Sequence, residues 1–260
     1  MVILFIGDVV GRTGRKLLRE FIPKLTDRHH ADYIIVNVEN AAGGFGVTPQ
    51  IAEEILAMEV DVMTSGNHIW DKKEILDYLD LQPRLLRPHN YPPGVAGRGI
   101  HVGVARNGCR VATMNLQGRV FMASIDCPFR TADRELEKLR RDTPVIVIDF
   151  HAEATSEKIC FGRYVDSRVS AVIGTHTHVQ TADEQILPGG TAYLTDVGMT
   201  GPHDSVIGME TQGSLERFLT QIPRKFESAA GDPILHAAAM EVDDSTGRAL
   251  GIERLVYHSH

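Results

Sequence analysis

The sequence predicts an α/β protein built from two packed β-sheets with helices on the outside. Three observations lead to this fold class: short Val- and Ile-rich runs recur along the chain, helical patterns separate the early runs, and strand pairs joined by short turns fill the second half. Alternating strands and helices indicate a largely parallel sheet, whereas strand pairs with short turns are antiparallel. Two mixed sheets accommodate both kinds of strand pairing. Because there is no Pro/Ser-rich linker, charge block or internal repeat, residues 1–260 are predicted to form a single domain.

Five short apolar runs are predicted to be buried strands. Each is rich in β-branched residues and ends in glycine or polar side chains, which is typical of strands covered on both faces. The runs cover residues 2–6, 33–38, 60–63, 145–148 and 169–173.

Four segments have the apolar spacing of helices. They cover about residues 14–29, 49–58, 72–79 and 131–141. The second has a clear start, because Thr48 is a good capping residue and proline, as in Pro49, is favoured at the first helical position.

Three β-hairpins are predicted in the second half of the chain. The first turns at Asn107-Gly108, a dipeptide that strongly favours a tight hairpin. The paired strands are residues 100–105 with 110–115, 185–187 with 192–195, and 234–242 with 250–257.

Composition and charge exclude several classes of protein. Hydrophobic residues make up 43% and charged residues 23% of the chain, which excludes a disordered or fibrous protein. The 27 Lys and Arg against 34 Asp and Glu give a net charge of −7, so the surface as a whole offers no attraction for DNA or an anionic membrane. No apolar stretch approaches the roughly 18 residues of a membrane span, and three distant cysteines suit a reducing compartment. We expect a cytoplasmic protein.

Chemically capable side chains follow the predicted strands. In an open α/β sheet, ligands collect at the carboxyl ends of the strands. Taken singly, each such residue has a structural explanation, such as a helix cap, a turn or a buried histidine. Together, five strand ends place metal-ligand types at one edge. These residues are Asp8, Glu39, Asn40, Asn67, His68, His151, His176 and His178.

The residue types favour a pair of metal ions. Alternate residues of an extended segment point the same way, so His176 and His178 are expected to face one cavity. Imidazole with oxygen ligands suits Fe, Mn, Ni or Zn, and the absence of a cysteine at a strand end disfavours a thiolate site. Two divalent ions would outweigh the two carboxylates of Asp8 and Glu39, and the surplus positive charge would attract a phosphate and acidify a bridging water. The Glu39 carboxylate could bridge both ions.

Three motifs make the sequence recognisable. Gly7-Asp8, Gly66-Asn67-His68 and the segment 174–178, which reads Gly-Thr-His-Thr-His, resemble the GD, GNH and GHxH motifs of the calcineurin-like metallophosphoesterases. The resemblance is closer to a bacterial branch, the YmdB-like proteins described as 2′,3′-cyclic nucleotide phosphodiesterases. It implies a metallophosphoesterase-like α/β sandwich. The segments that carry it are residues 5–11, 38–42, 66–73, 115–118, 149–156, 174–180 and 195–202.

Two departures from the broad superfamily pattern agree with this branch. The first motif usually reads Asp-x-His, but Val10 stands in place of the histidine. The second motif usually supplies an aspartate, and here the matching residue is Glu39. Without this imidazole, oxygen atoms would make up a larger share of the ligands of the metal ion that the first motif binds.

The resemblance also implies a role for each site residue. His68 would be the general acid. One ion would be held by Asp8, Glu39, Asn40 and His178. The second would be held by Glu39, Asn67, His151 and His176. The cofactors expected are two divalent or trivalent ions per chain, for which Fe or Mn fits better than Zn.

The function expected is hydrolysis of a small phosphodiester by a hydroxide that bridges the two metals. The substrates would be 2′,3′-cyclic nucleotides, with 3′,5′-cyclic nucleotides as a further class. Two alternatives stay open: a phosphomonoesterase or phosphoprotein phosphatase with the same site, and a regulator that binds RNA or a protein and keeps its metals for structure. The acidic net charge and the absence of a basic, aromatic stripe count against RNA binding. The motifs identify no substrate-binding residue, and a homo-oligomer is compatible with the sequence.

Other features have simpler interpretations. His29 and His30 are predicted to end a helix, on the surface. Trp70 could stack a nucleobase or pack in the core, and the glycine-rich segment 43–46 is expected to be a mobile loop near the site. Segment 200–204 is predicted to be a second loop, whose His203 could reach the cavity. His258 and His260, at the end of the sequence, are expected to be mobile.

Overall fold

A computed structural model describes residues 1–259; the expectation for His260 therefore lies outside the described residues. Within this range the chain forms thirteen strands, six α-helices and one 3₁₀ helix. The strands are β1 (Val2–Ile6), β2 (Asp8–Val9), β3 (Tyr33–Asn37), β4 (Val62–Thr64), β5 (Ile100–Val104), β6 (Arg110–Gln117), β7 (Ile146–His151), β8 (Ala171–Thr175), β9 (Gln185–Ile186), β10 (Ala192–Leu194), β11 (Met199–Asp204), β12 (Gly231–Val242) and β13 (Ala249–His258). The helices are α1 (Gly11–His29), α2 (Pro49–Leu56), α3 (Ile75–Leu81), α4 (Pro128–Asp142), α5 (Thr155–Val165) and α6 (Thr211–Thr220), and the 3₁₀ helix covers Asn67–Trp70.

The strands form two mixed sheets. In the first, the order is β2-β11-β12-β1-β3-β4, with β13 paired to β12, and β1, β3 and β4 are parallel. In the second, the order is β5-β6-β7-β8-β10-β9, and the four central strands are parallel. Antiparallel hairpins complete both sheets, so the sequence-based expectation of mixed pairing is confirmed.

The sheets pack face to face because alternate side chains of each strand point to opposite sides. In β1, Ile3 and Phe5 belong to the same buried cluster as Val147 and Ile173 of the other sheet. The alternate β1 residues join a second core beneath α1 and α2. A third core lies between the second sheet and helices α4 and α5. The predicted fold class, two mixed sheets flanked by helices, is confirmed.

Most predicted elements appear within a few residues of their expected limits, but several elements were missed. The prediction of a loop at 200–204 is wrong, because these residues lie in β11, which pairs with β2 and β12. Gly201 and Pro202 hid this strand, since both residues weaken a strand pattern. Helix α5 was missed because it buries Glu157 and Lys158, which interrupt the apolar spacing. None of the helices in the described range combines the length and hydrophobicity needed to cross a bilayer.

Candidate metal centre

The carboxyl ends of β1, β3, β4, β7 and β8 lie at one edge of the sandwich, and the predicted site residues stand at these strand ends or in the segments that follow them. Asp8, Glu39, Asn40 and His151 are buried, and His178 is 8% exposed. The residues come from distant parts of the chain, so their proximity is a product of the fold. We call this set the metal rim; its members are Asp8, Glu39, Asn40, Asn67, His151, His176 and His178.

One part of the metal rim is centred on His151. Its Nε2 lies 3.2 Å from Glu39 Oε2, 3.0 Å from Asn67 Oδ1 and 3.0 Å from His176 Nδ1. Glu39, His151 and His176 thus offer ligand atoms within 4.8 Å of one another. Four nitrogen and oxygen atoms surround one point, which is the arrangement of ligands around a metal ion.

The neighbours of His151 and His176 decide which ring nitrogens face this point. Thr175 Oγ1 donates to Asp149 Oδ1 at 2.7 Å, so it is free to accept from His151 Nδ1 at 2.9 Å. Glu153 Oε2 lies 3.0 Å from His176 Nε2 and accepts its proton. In both neutral rings the remaining nitrogen presents a lone pair to the same point.

The surroundings of these two rings shift their pKa values in opposite directions. Burial lowers the pKa of His151, but the surrounding carboxylates of Glu39, Asp8 and Asp149 together outweigh burial and raise the value to about 8. Burial and the neighbouring His151 lower the pKa of His176 to about 3. Metal ligands must release their protons, so a bound cation would replace the proton on His151.

The second part of the metal rim contains a buried oxygen without a partner. Asp8 Oδ2 accepts from the His176 amide at 3.2 Å, but Asp8 Oδ1 has no hydrogen-bond partner in residues 1–259. Burial raises the pKa of Asp8 well above its ordinary value. Asp8, Glu39 and His178 offer ligand atoms within 4.8 Å of one another. A cation here would satisfy the orphaned oxygen, so the residues fit a metal.

Glu39 belongs to both ligand groups, which is the position required of a bridging carboxylate. Burial alone would raise the pKa of Glu39. The charge of His151 and the hydrogen bond between the two side chains have the larger effect and lower this pKa to about 2, so the carboxyl group is ionised. Asn40 directs Nδ2 toward His178 Nε2 at 3.0 Å. An amide turned by 180° would present the oxygen instead, with almost no change in atomic positions.

The loop after β8 holds both motif histidines in unusual backbone conformations. His176 has φ 101° and His178 has φ 66°. The expectation that they alternate in an extended segment is therefore wrong, because both residues lie beyond the end of β8. They share one cavity because the loop turns sharply, and such strained residues persist only where the surroundings fix them.

A buried ion pair fixes this loop. Lys158 Nζ lies 2.7 Å from Asp196 Oδ2 and donates to the Thr175 carbonyl at 2.8 Å. Asp196 Oδ2 also accepts from the amide and hydroxyl of Thr177, between the two histidines, at 3.0 and 2.8 Å. The Ile207 carbonyl accepts from His178 Nδ1 at 2.9 Å, which leaves Nε2 for the site. Sequence reasoning missed Lys158 and Asp196, although Asp196 lies within a motif segment.

His68 stands beside the metal rim without joining either ligand group. Its amide donates to Glu39 Oε2 at 3.3 Å, and its side chain is 30% exposed at the cavity. Asp71 Oδ2 lies 2.8 Å from His68 Nδ1 and accepts its proton, so Nε2 is the nitrogen left for chemistry. The sequence carries a signal for Asp71, since it is an acidic residue one helical turn after the histidine.

The metal rim opens into a cavity of about 370 Å³. Its floor includes Glu39, His68 and His176, and its walls include several large apolar side chains. No Lys or Arg of the described chain is among the residues that line it. The glycine-rich segment 43–46 contributes to the wall, which agrees with its predicted location.

The remaining candidates lie away from the metal rim. His203 packs against His236, with ring centroids 4.6 Å apart, and lines a neighbouring cavity on another side of His178. Trp70 packs on Tyr91 and on the core beneath α2, in line with the core-packing alternative. His29 ends α1 and lies 3.4 Å from the hydroxyl of Tyr257.

Known proteins share this fold and most of its length. The profile of the YmdB-like protein family matches residues 4–255. This chain belongs to the YmdB-like family. The sequence-based prediction of the family is thereby confirmed. Segments 5–11, 38–42 and 174–180, which are among those that carry the resemblance, contain five members of the metal rim: Asp8, Glu39, Asn40, His176 and His178.

Relatives and solved structures match this YmdB-like protein along its whole length. A 2′,3′-cyclic-nucleotide 2′-phosphodiesterase from Bacillus subtilis is 50% identical over 256 residues, which cover 98% of this chain and 97% of the relative. A crystal structure of a hypothetical protein from Thermus thermophilus has a TM-score of 0.94 at 40% identity and full coverage of both chains. A structure of a phosphatase from Mycoplasma pneumoniae has a TM-score of 0.93 at 33% identity, covering 99% of this chain and 93% of that one. These matches confirm the prediction that the chain is an enzyme.

Proposed function

We propose that this YmdB-like protein is a dinuclear metal phosphodiesterase that hydrolyses 2′,3′-cyclic nucleotides, with 3′,5′-cyclic nucleotides as a further substrate class. The observation that carries the proposal is the position of Glu39 in two ligand groups, with His68 beside both. The name of the Bacillus subtilis relative supports the substrate class, since that protein is a 2′,3′-cyclic-nucleotide 2′-phosphodiesterase.

Two metal ions would be held by the side chains that the fold collects at the metal rim. Bound there, they would supply a nucleophile at neutral pH and neutralise charge on the phosphate. The ligand set contains no thiolate, so Fe or Mn fits better than Zn. One ion would be held by Asp8, Glu39, Asn40 and His178. The other would be held by Glu39, Asn67, His151 and His176.

His68 is assigned the proton transfer to the leaving group. Opening a 2′,3′-cyclic phosphate breaks the bond between phosphorus and the ribose 2′-oxygen, and a water oxygen forms the new bond to phosphorus. The 2′-oxygen is a poor leaving group unless it receives a proton. Asp71 holds His68 Nδ1 at 2.8 Å, so a proton on Nε2 is the one available to the 2′-oxygen.

The charge of the cavity favours a diester over a monoester. A diester carries one negative charge near neutral pH and a monoester carries close to two. No Lys or Arg among the described residues lines the cavity, and Glu153 adds a carboxylate to its wall. A phosphomonoester would therefore find no counter-charge beyond the metals, which makes a phosphomonoesterase or phosphoprotein phosphatase the weaker candidate.

A substrate panel with metal-loaded protein tests this function. We expect turnover of 2′,3′-cyclic AMP to exceed that of 3′,5′-cyclic AMP and of the monoesters 3′-AMP and phosphoserine peptide by at least tenfold. Elemental analysis should give about two Fe or Mn ions per chain. A preference for the monoesters, or fewer than half an equivalent of metal after gentle purification in supplemented medium, would contradict the proposal.

A further inference from the structure

The cavity above the metal rim has an apolar wall that belongs to none of the three main cores. Val10, Met199 and Met209 form a separate buried cluster, and the partly buried rings of Phe45 and Phe226 pack against it. Gly44, Phe45, Met209 and Phe226 all line the cavity. We call Phe45, Met209 and Phe226 the aromatic wall. Apolar and aromatic side chains that line a cavity beside a few polar groups are typical of a ligand-binding site.

Val10 supports this wall. It replaces the histidine that the broad superfamily pattern would place near the metals, and it is fully buried beneath the wall. The chain approaches it closely: a Cβ atom added to Gly208, which has φ 96°, would lie 2.8 Å from Val10 Cγ1. The position that would otherwise supply a metal ligand thus holds a buried apolar side chain behind the residues that line the cavity.

Glycines on both sides of Phe45 fix the direction of its ring. Gly44 has φ 95° and Gly46 has φ 72°, conformations that favour glycine. A Cβ atom on Gly44 would lie 2.6 Å from Met209 Cε, so the backbone must pack directly on the wall. The glycine-rich segment therefore serves to present Phe45 to the cavity.

The aromatic wall begins beside the proposed general acid. The ring centroid of Phe45 lies 5.0 Å from that of His68 and 6.3 Å from that of Phe226. His68 must reach the ribose oxygen that leaves, so the nucleoside has to extend from His68 into the cavity. The nearest surface on that side is the aromatic wall. Arg217 packs on the Phe226 ring, with its guanidinium carbon 4.7 Å from the centroid.

The polar side chains near the wall already have partners. Ser214 Oγ donates to the Glu210 carbonyl at 3.0 Å, and Thr177 Oγ1 donates to Asp196 Oδ2 at 2.8 Å. Beyond the metal rim, His68 and Glu153, these are the polar side chains that line the cavity among residues 1–259. Hydrogen bonds to a base edge give strong discrimination, whereas apolar surfaces give little.

We propose that Phe45, Met209 and Phe226 form a subsite that stacks the nucleobase of the substrate without selecting its identity. The inference rests on the proposed function, since it assumes that a nucleoside is attached to the phosphate. Every base presents a π-face, so an aromatic wall accepts purines and pyrimidines alike. The subsite lowers KM for nucleotides, whereas the metal rim interacts only with the phosphate.

Steady-state kinetics of Phe226→Ala test the subsite. The substrates are the four 2′,3′-cyclic nucleotides and methyl riboside 2,3-cyclic phosphate, which has the same reacting ring but no base. We expect the parent to process the four nucleotides with kcat/KM values within about tenfold of one another. The variant should raise KM for all four by about tenfold with little change in kcat. KM for the methyl riboside should stay within twofold.

Two further variants separate the loss of the aromatic ring from the loss of apolar volume and from a general effect of removing a phenylalanine. Phe226→Leu keeps apolar volume but loses the ring, so its effect on nucleotide KM should be smaller in the same direction. Phe121→Ala removes a phenylalanine that is 89% exposed and does not line the cavity, so it should leave every constant unchanged. Equal increases of KM for nucleotides and methyl riboside would overturn the subsite, and so would a hundredfold preference of the parent for one base.

A binding measurement separates this inference from the proposed function. Calorimetry compares adenosine 3′-monophosphate with ribose 5-phosphate on the metal-loaded parent and on Phe226→Ala. The subsite predicts a Kd for the nucleotide about tenfold higher in the variant, and an unchanged Kd for ribose 5-phosphate. Absence of cyclic nucleotide hydrolysis together with this binding pattern would refute the function and retain the subsite. An unchanged Kd for the nucleotide would refute the subsite.

Discussion

The metal rim and the aromatic wall face the same cavity but are built in different ways. Side chains of the rim follow strand ends inside the sandwich, and several are fully buried. The wall is carried by the glycine-rich segment 43–46 and by the segments on either side of α6, and its two rings, Phe45 and Phe226, are only partly buried. The comparison teaches that the residues assigned to the chemistry stand in a buried frame, whereas the residues proposed to bind the base form a less buried layer above it.

The two regions also differ in what holds their side chains. Hydrogen bonds fix the ring nitrogens of His151, His176 and His178, and each partner dictates which nitrogen faces the site. Phe45 and Phe226 are held by packing against Val10, Met209 and each other, and Arg217 packs on the Phe226 ring. Substitutions in the rim should therefore change kcat and metal content by orders of magnitude, and substitutions in the wall should change KM by about tenfold.

The largest effect is expected from Glu39→Gln. The variant keeps the size of the side chain but removes the charge shared by both ligand groups. Electrostatic stabilisation of the reacting groups is usually the largest contribution to catalysis, so kcat should fall by at least about a thousandfold. Asn40→Ala, which removes only a dipole, should lose less. Kinetics with metal analysis check this; parental activity of Glu39→Gln at full metal loading would remove Glu39 from the bridging position.

Lys158→Met should give the next largest effect, because it acts on the frame of the rim. It leaves the Asp196 carboxylate buried without its cation, which typically costs about 3–5 kcal/mol of unfolding free energy. Metal affinity should also fall by about 10- to 100-fold, as for other groups that orient ligands. Denaturant unfolding and metal titration measure both.

The matched control for this variant is Lys24→Met, which removes the exposed ion pair with Glu20 on α1. Both side chains of that pair are at least 39% exposed, so the change should stay below about 1 kcal/mol. A loss of stability in Lys158→Met no greater than in the control, with parental metal affinity, would show that the buried pair does not hold the histidine loop.

A double variant sharpens the separation between rim and wall. If His68 acts on the leaving group and Phe226 only on the base, the effects of His68→Ala and Phe226→Ala on kcat/KM should multiply. Independent sites are usually additive within about 0.5 kcal/mol. A larger deviation from additivity, measured with 2′,3′-cyclic AMP as substrate, would mean that the wall also positions His68.

The smallest effect is expected for removal of His29 and His30. They lie at the carboxyl end of α1, whereas the amino end of the same helix follows Asp8 and Val10. The double alanine variant should change kcat/KM by less than about threefold, or below roughly 0.7 kcal/mol. A larger loss in a folded variant would connect this surface to the site.

Much of this arrangement could be predicted from the sequence. Short buried strands can be predicted from Val- and Ile-rich runs, and β1 has the predicted limits 2–6. The residues at or just after the predicted strand ends include every member of the metal rim, because parallel strands bring their carboxyl ends to one edge. The roles of these residues remain predictions, as does the single domain over residues 1–260.

What escaped prediction depends on tertiary context. Lys158 looked like an ordinary charged helix residue, and only the fold reveals that it is 1% exposed and paired with Asp196. The aromatic wall was missed because Phe45 and Phe226 are 181 positions apart in sequence and neither stands in a motif. Helix α6 did carry a signal, the spacing of Leu215, Phe218 and Leu219, but these side chains are largely exposed.

The central claim is that a proton-donating histidine stands beside a metal rim, and His68→Ala tests it most directly. The rates to compare are those of parent and variant on 2′,3′-cyclic AMP and on bis-p-nitrophenyl phosphate, whose leaving group departs readily without a proton. We predict that the variant keeps its metals and loses at least about a hundredfold in kcat on the cyclic nucleotide, with a much smaller loss on the nitrophenyl ester. Equal losses on both substrates, or loss of the metals, would contradict the assignment of His68 as the general acid.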